Sequence, residues 1–294
     1  MIQNDNCFYT VNKKVIKGQR FSGERPLFES HHLRLEDIYI GEGESAIKEC
    51  SDIEAVNSRF EGHYPFWHVH GFTIENCRFE KDARSALWYS SDLRMTNTVI
   101  DAPKMFREMD GIVLENVTVN DADEYFWRCN NIVAKNLTLH DGTYPFMFCD
   151  NIKIDGFVSD SKYVFQYVRN VEIHNAKITT KDALWEVENV TVYDSELNGE
   201  YLGWHSKNLR LVNCHITGEQ PLCYAEDLVL ENCTFGADCD RAFEYSTLNA
   251  DIKGAITNVK NPTSGRIVAD AIGSVTIDEN IKAPANCIIE VRKA

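Results

Sequence analysis

The chain has 294 residues, 44% of them hydrophobic, and a formal net charge of −15 at pH 7. That acidity disfavours nucleic acid and anionic membranes as partners, and no apolar run is long enough for a transmembrane helix. Residues 1–14 lack the apolar centre of a secretory signal, so the ten cysteines are read as reduced thiols of a cytoplasmic protein.

In chain order, the first stretches with strand character are Cys7-Phe-Tyr-Thr-Val and Lys14-Val-Ile, and residues 1–20 are expected to cap one end of the fold. A repeat then begins. Apolar anchors fall at Leu33, Ile53, Phe72, Leu93, Ile112, Ile132, Ile152, Val171, Val190, Leu209, Leu228 and Leu248, spaced mostly by 19–21 residues. Four residues after the anchor runs a column of Asp37, Asn57, Asn76, Asn97, Asn116, Asn136, Gly156, Asn175, Asp194, Asn213 and Asn232. A period this short specifies a solenoid, in which each repeat contacts only its neighbours.

The stretch of residues 209–227 shows what one repeat contains. Leu209 and Leu211 alternate with Arg210, Cys214 and Ile216 are again two apart, and Leu222 to Ala225 makes a third short run, with turn residues between. Period two argues strand, and nothing in the repeat has the 3.6 period of a helix. Leucine-rich and hexapeptide repeats need other spacings. The expected fold is all-β: a single-stranded right-handed parallel β-helix over residues 21–250. About twelve coils would make a rod of roughly 60 Å at about 4.8 Å per coil. Asparagine suits the bend between strands because it tolerates left-handed backbone and its amide bonds to the coils on either side. After Leu248 this column stops. Ile267-Val-Ala and Cys287-Ile-Ile-Glu-Val, broken by Pro262 and Pro284, are expected to be closing coils or a cap over residues 251–294. An uncovered end would favour a homodimer through the rod ends.

The segment before each anchor is the expected chemical face. Carrying period two through it points positions five and three before the anchor inward, so Trp67, Trp88, Trp127, Trp185 and Trp204 are expected to fill the core. The opposite phase would make them a sugar-stacking platform. The outward pairs are then His68/His70, Tyr89/Ser91, Glu108/Asp110, Arg128/Asn130, Phe148/Asp150, Tyr167/Arg169, Glu186/Glu188, His205/Lys207 and Tyr224/Glu226. Glu108, Asp110, Arg128 and Asp150 form the densest group and are the candidate catalytic residues. Asp110 and Asp150 would lie two coils, about 10 Å, apart, near the separation of an inverting glycosidase's acid and base. Tyr89, Phe148, Tyr167, Arg169, Glu186, Glu188, His205, Lys207 and Tyr224 are the candidate substrate contacts. Matched charges on adjacent strands also stabilise a sheet with no chemistry involved. His68 and His70, with His63, are a weaker metal candidate. No Cys-x-x-Cys pair occurs, and no metal or cofactor is assigned.

The coil length, the short strands and the asparagine column resemble the right-handed β-helices of the pectin-lyase-like superfamily. Segments such as Asn208-Leu-Arg-Leu-Val-Asn-Cys and Gly111-Ile-Val-Leu-Glu-Asn-Val resemble, more closely, an uncharacterised bacterial family of cytoplasmic-looking β-helices. The superfamily resemblance implies a carbohydrate ligand. Its polygalacturonase, pectate-lyase and alginate-epimerase motifs are missing, and the nearest approach, His68-Val-His-Gly, does not match. Two expectations follow: a protein that binds or cleaves an oligosaccharide on this face, or a non-enzymatic scaffold that uses the rod as a rigid surface.

Overall fold

A computed structural model describes residues 12–281 and 286–293; residues 7–11 and Pro284, singled out above, lie outside the described residues. The anchor-bearing strands pair in parallel, coil upon coil. Fourteen successive pairings run from Lys14–Lys17 to Ile288–Val291. The anchors stand in one register, as in Leu93 opposite Ile112, Ile112 opposite Ile132 and Ile132 opposite Ile152. Among the described residues there is no helix. The stack is slightly longer than a dozen coils because the register continues past both terminal anchors: Lys14 lies beside Leu33, and Leu248 beside Gly265.

Each mid-rod coil has one long bent strand rather than two short ones: Ser91–Ile100, Asp110–Val119, Asn130–Leu139, Asp150–Ser159 and Arg169–Thr179. The bend falls on the asparagine column, where Asn97, Asn116, Asn136 and Asn175 have φ between 48° and 55°. Amide-to-amide hydrogen bonds climb this column, Asn116 to Asn97 at 3.0 Å and Asn136 to Asn116 at 2.9 Å. Where Gly156 has no side chain, Asn175 donates instead to Asp155 at 2.7 Å. These amides are exposed, so they brace the outer corner rather than a buried one.

The third run of each repeat is not a strand. It is a turn with left-handed residues at alternate positions: Tyr144, Phe146 and Phe148 at φ 59°, 63° and 60°, and Tyr163, Phe165 and Tyr167 at 62°, 59° and 55°, whereas in earlier coils only the outer two are left-handed, as at Tyr64 and His68 or Lys104 and Glu108. Its amides still bond to the neighbouring coils, as from Phe146 to the Tyr125 carbonyl at 2.7 Å and from Arg128 to the Met147 carbonyl at 2.9 Å. Alternating handedness destroys period two, and this corrects the tryptophan assignment. The inward positions are six and three before the anchor. Phe66, Phe106, Phe126, Phe146, Phe165 and Leu184 are fully buried, as are Cys129 and Cys149, whereas all five tryptophans are only partly buried. The phenylalanines form the core column, with ring centroids 4.4 Å (Phe106–Phe126), 4.4 Å (Phe126–Phe146) and 4.6 Å (Phe146–Phe165) apart. Bulky left-handed residues cost about 1–3 kcal/mol each, and here the burial of a whole ring, about 1.5–3 kcal/mol, offsets that cost.

Candidate functional site

The turn face carries two outer columns, five and four residues before the anchor. Nearly every coil from Trp67 to Tyr224 contributes an aromatic ring to them, and Tyr245, three before Leu248, continues the row by stacking on Tyr224 at 5.7 Å. The rings stack along the rod: Trp67 on Trp88 at 6.1 Å, Phe148 on Tyr167 at 5.0 Å, Trp185 on Trp204 at 5.5 Å and His205 on Tyr224 at 4.9 Å. Tyr144 and Tyr163 stack alongside at 4.8 Å. Rings stacked coil on coil cover one another's faces and turn their edges to solvent. Two indoles also fasten the turn, since Trp88 Nε1 donates to the Lys104 carbonyl at 2.6 Å and Trp204 Nε1 to the Gln220 carbonyl at 2.7 Å.

One coil interrupts the rings. There the outer pair is Arg107 and Glu108. The Arg107 guanidinium fills the gap, 4.3 Å from the Trp88 ring centre and 5.4 Å from that of Trp127, and Glu124 holds it at 2.7 Å. Glu108 projects beside it, exposed, with no ion pair among the described residues. Arg128 is one coil away, as expected, but lies over the Phe148 ring at 5.4 Å rather than against Glu108.

The column two before the anchor stands in register from Ser91 through Asp110, Asn130, Asp150, Arg169 and Glu188 to Lys207. Asp110 accepts a hydrogen bond from the Asn131 amide. Asp150 accepts two from Arg169, at 2.9 and 3.1 Å, and these bonds hold the guanidinium above its usual pKa. The four candidate catalytic residues thus fall on neighbouring coils, but Asp150 is paired and the hollow beside it leaves out the other three. That depression, of about 340 Å³, is lined by Asp150, Asn151, Arg169, Asn170, Glu188 and Asn189. Glu188 lies in register with Arg169 on one side and Lys207 on the other. Glu186 and His205 project from the ring columns, and His205 also contacts Trp185 at 5.5 Å. Tyr89 and Phe148 are 37% and 38% exposed, which leaves their edges free for a ligand. Burial, then the Glu244 carboxylate, raise the Tyr224 phenol, so it is a neutral donor at physiological pH.

His70 bonds to Ser91 at 3.0 Å, His68 lies against Tyr89 at 5.2 Å and His63 against Tyr64 at 5.8 Å. Among the described residues no group of three or more His, Cys, Asp or Glu side chains converges as a metal site.

Sequence reasoning missed two features of this face. Directly before the anchor runs a second amide column, in which Asn151 donates to Asn131 at 3.2 Å and Asn208 to Asn189 at 3.0 Å. Eight before the anchor stand Tyr64, Tyr144, Tyr163 and Tyr201, of which Tyr64 lies against Trp67 at 5.0 Å and Tyr201 against Trp204 at 4.9 Å. Both columns were legible as recurring residue types at fixed offsets. The phenol hydroxyls of Tyr64, Tyr89, Tyr144, Tyr163, Tyr167, Tyr201, Tyr224 and Tyr245, and of Tyr193 on another face, have no protein hydrogen-bond partner among the described residues, whereas those of Tyr39 and Tyr125 bond to Glu61 and the Ala102 carbonyl.

A family model described as protein of unknown function (DUF3737) matches residues 14–290. No curated protein matches the chain. Among solved structures, the chain is similar to a double mutant of the periplasmic alginate epimerase AlgG, with 12% identity and a TM-score of 0.38 over 94% of this chain and 75% of that one. It is similar to the A-module of the mannuronan C-5 epimerase AlgE4 of Azotobacter vinelandii, with 9% identity and a TM-score of 0.36 over 96% and 91%. It is also similar to the catalytic domain of a GH87 alpha-1,3-glucanase in complex with nigerose, with 13% identity and a TM-score of 0.26 over 96% and 64%.

Proposed function

The chain belongs to the DUF3737 family of proteins of unknown function, and for this member we propose that the turn face binds an extended oligosaccharide without cleaving it. The observation that carries this reading is the row of solvent-facing phenol hydroxyls among half-buried ring edges, with the exposed Glu108 and Glu186 beside them. A polyhydroxylated chain lying along the rod would exchange hydrogen bonds with those groups, coil by coil. Tyr89, Phe148, Tyr167, His205 and Tyr224 would contact the sugar rings, and Arg169, Glu188 and Lys207 would border them. Cleavage is the weaker form of the reading. It would need Glu108, Asp110, Arg128 and Asp150 to act together, yet Asp150 is held by Arg169 and Asp110 by Asn131. With net −15 the chain repels polyuronates, so neutral oligosaccharides are the ligands of choice. Titration calorimetry against a panel of neutral and acidic oligosaccharides, with Tyr224→Phe and Glu186→Gln beside the parent chain, tests this. Binding of a neutral chain, weakened several-fold in both variants, is expected. A silent panel defeats the proposal, and release of reducing ends replaces binding with catalysis.

A scaffold remains the second reading. It is favoured by the alternation of charge along Asp150, Arg169, Glu188 and Lys207, which needs no ligand to explain it, and by the mutual covering of the ring faces.

A further inference from the structure

The ends of the rod differ, and the difference concerns assembly rather than the turn face. At the C-terminal end the last rung consists of Ala271–Thr276 and Ile288–Val291. The first pairs only with Ala255–Lys260 and the second only with Ser264–Ala269, so the outer edge of each has no strand partner among the described residues. Ile272, Cys287 and Ile289 extend the core to this end and are only partly covered. Around them Val275, Ile277, Ile288 and Val291 are 46%, 48%, 56% and 55% exposed. Residues 271–277 read Ala-Ile-Gly-Ser-Val-Thr-Ile, with no charge and no proline. Unpaired edges are normally blunted by lysine, proline or a bulge, because bare main-chain groups recruit another strand. The opposite edge, Lys14–Lys17, has that protection, with a lysine at each end around Val15.

We propose that the C-terminal rung docks a second copy of this chain, tail to tail across a two-fold axis, with the two 271–277 edges pairing antiparallel. An unpaired strand edge is complementary to another strand edge. Charge permits the copy at this place: two chains of net −15 repel elsewhere, but residues 271–277 carry no charge. Apart from the exposed Glu279, the acidic side chains around that rung are paired within the chain. Arg266 pairs with Glu290 at 2.6 Å, Arg292 with Asp251 and Asp270, and Lys260 with Asp278 at 3.4 Å. A two-fold contact is closed, so both apolar ends are covered and growth stops at two.

Sedimentation velocity on the full chain, from micromolar concentration to the solubility limit, tests this against variants whose fold is checked by circular dichroism. The parent chain should run at twice 33.6 kDa. Val275→Lys should weaken dimerisation by about tenfold or more, because it buries an unpaired ammonium in the contact. Val15→Lys, at the other end, should leave it unchanged. If Val275→Lys fails to fold, Ser274→Cys decides instead: mild oxidation should give an interchain disulfide. A parent chain that stays monomeric overturns the proposal. So do a dimer indifferent to Val275→Lys, a dimer broken by Val15→Lys, species that grow beyond two, or a Ser274→Cys chain that does not cross-link.

Discussion

Phe146, Met147 and Phe148 follow one another through a single turn, and replacing each by alanine measures which way that turn faces. Phe146 is fully buried, Met147 partly buried and Phe148 38% exposed. Truncating a core phenylalanine costs about 3–5 kcal/mol. Phe146 lies between Phe126 at 4.4 Å and Phe165 at 4.6 Å, with the edge of Phe157 at 6.1 Å. Each lost ring pair adds about 0.5–1.5 kcal/mol beyond the area effect, which puts Phe146→Ala in the upper part of that range. The neighbouring coils are fixed by their own hydrogen bonds and cannot collapse into the cavity. Met147→Ala should cost about 1 kcal/mol and Phe148→Ala less than about 1 kcal/mol, as for ordinary and surface sites. Urea unfolding followed by circular dichroism gives the differences from the midpoints at constant m. A Met147→Ala cost equal to or above that of Phe146→Ala would restore the period-two phase and refute the inward column described here.

Gly142→Ala should destabilise by roughly 2 kcal/mol or more. The φ of Gly142 is +72°, and an added Cβ would sit 2.3 Å from the Asp123 nitrogen; a thermal melt shifted by less than a degree would contradict this. Asp150→Asn removes an exposed pair with Arg169 and should change stability by less than about 1 kcal/mol; a larger loss in urea would give the pair a structural role that its exposure does not support. Cys50, Cys77, Cys129, Cys149, Cys214, Cys223, Cys233 and Cys239 are buried, so a thiol reagent should label them only after denaturant is added, and rapid labelling of any of them in the folded chain would be inconsistent with the packing. Burial pushes the Cys77 thiol up to about 11 and the Cys223 thiol to about 12. The unfolded chain releases those protons near pH 8.5, so their stabilising contribution is full below that pH and is lost as pH rises through the folded values. Urea midpoints should therefore fall above about pH 8.5, and a midpoint flat through that range would argue for exposed thiols.

What the sequence alone determined was everything that depends on repetition. Leu93, Ile112 and Ile132 recur at the coil length, and parallel pairing requires equal coil lengths, so their register was legible. Asn97, Asn116 and Asn136 marked a bend because few other side chains accept left-handed backbone and still bond to both neighbours. The register of Asp110, Asn130 and Asp150 on successive coils followed from the same arithmetic. Only the tertiary structure decided where each turn-face side chain points. Phe146 and Met147 are both apolar, and hydropathy cannot tell which of two adjacent apolar residues faces the core once the backbone alternates in handedness. That alternation is fixed by hydrogen bonds to the coils above and below, which a reading along the chain does not contain. The partners followed the same logic: Arg128 chose the Phe148 ring over Glu108, and Asp150 chose Arg169, because those contacts depend on side-chain reach across coils and not on spacing within one.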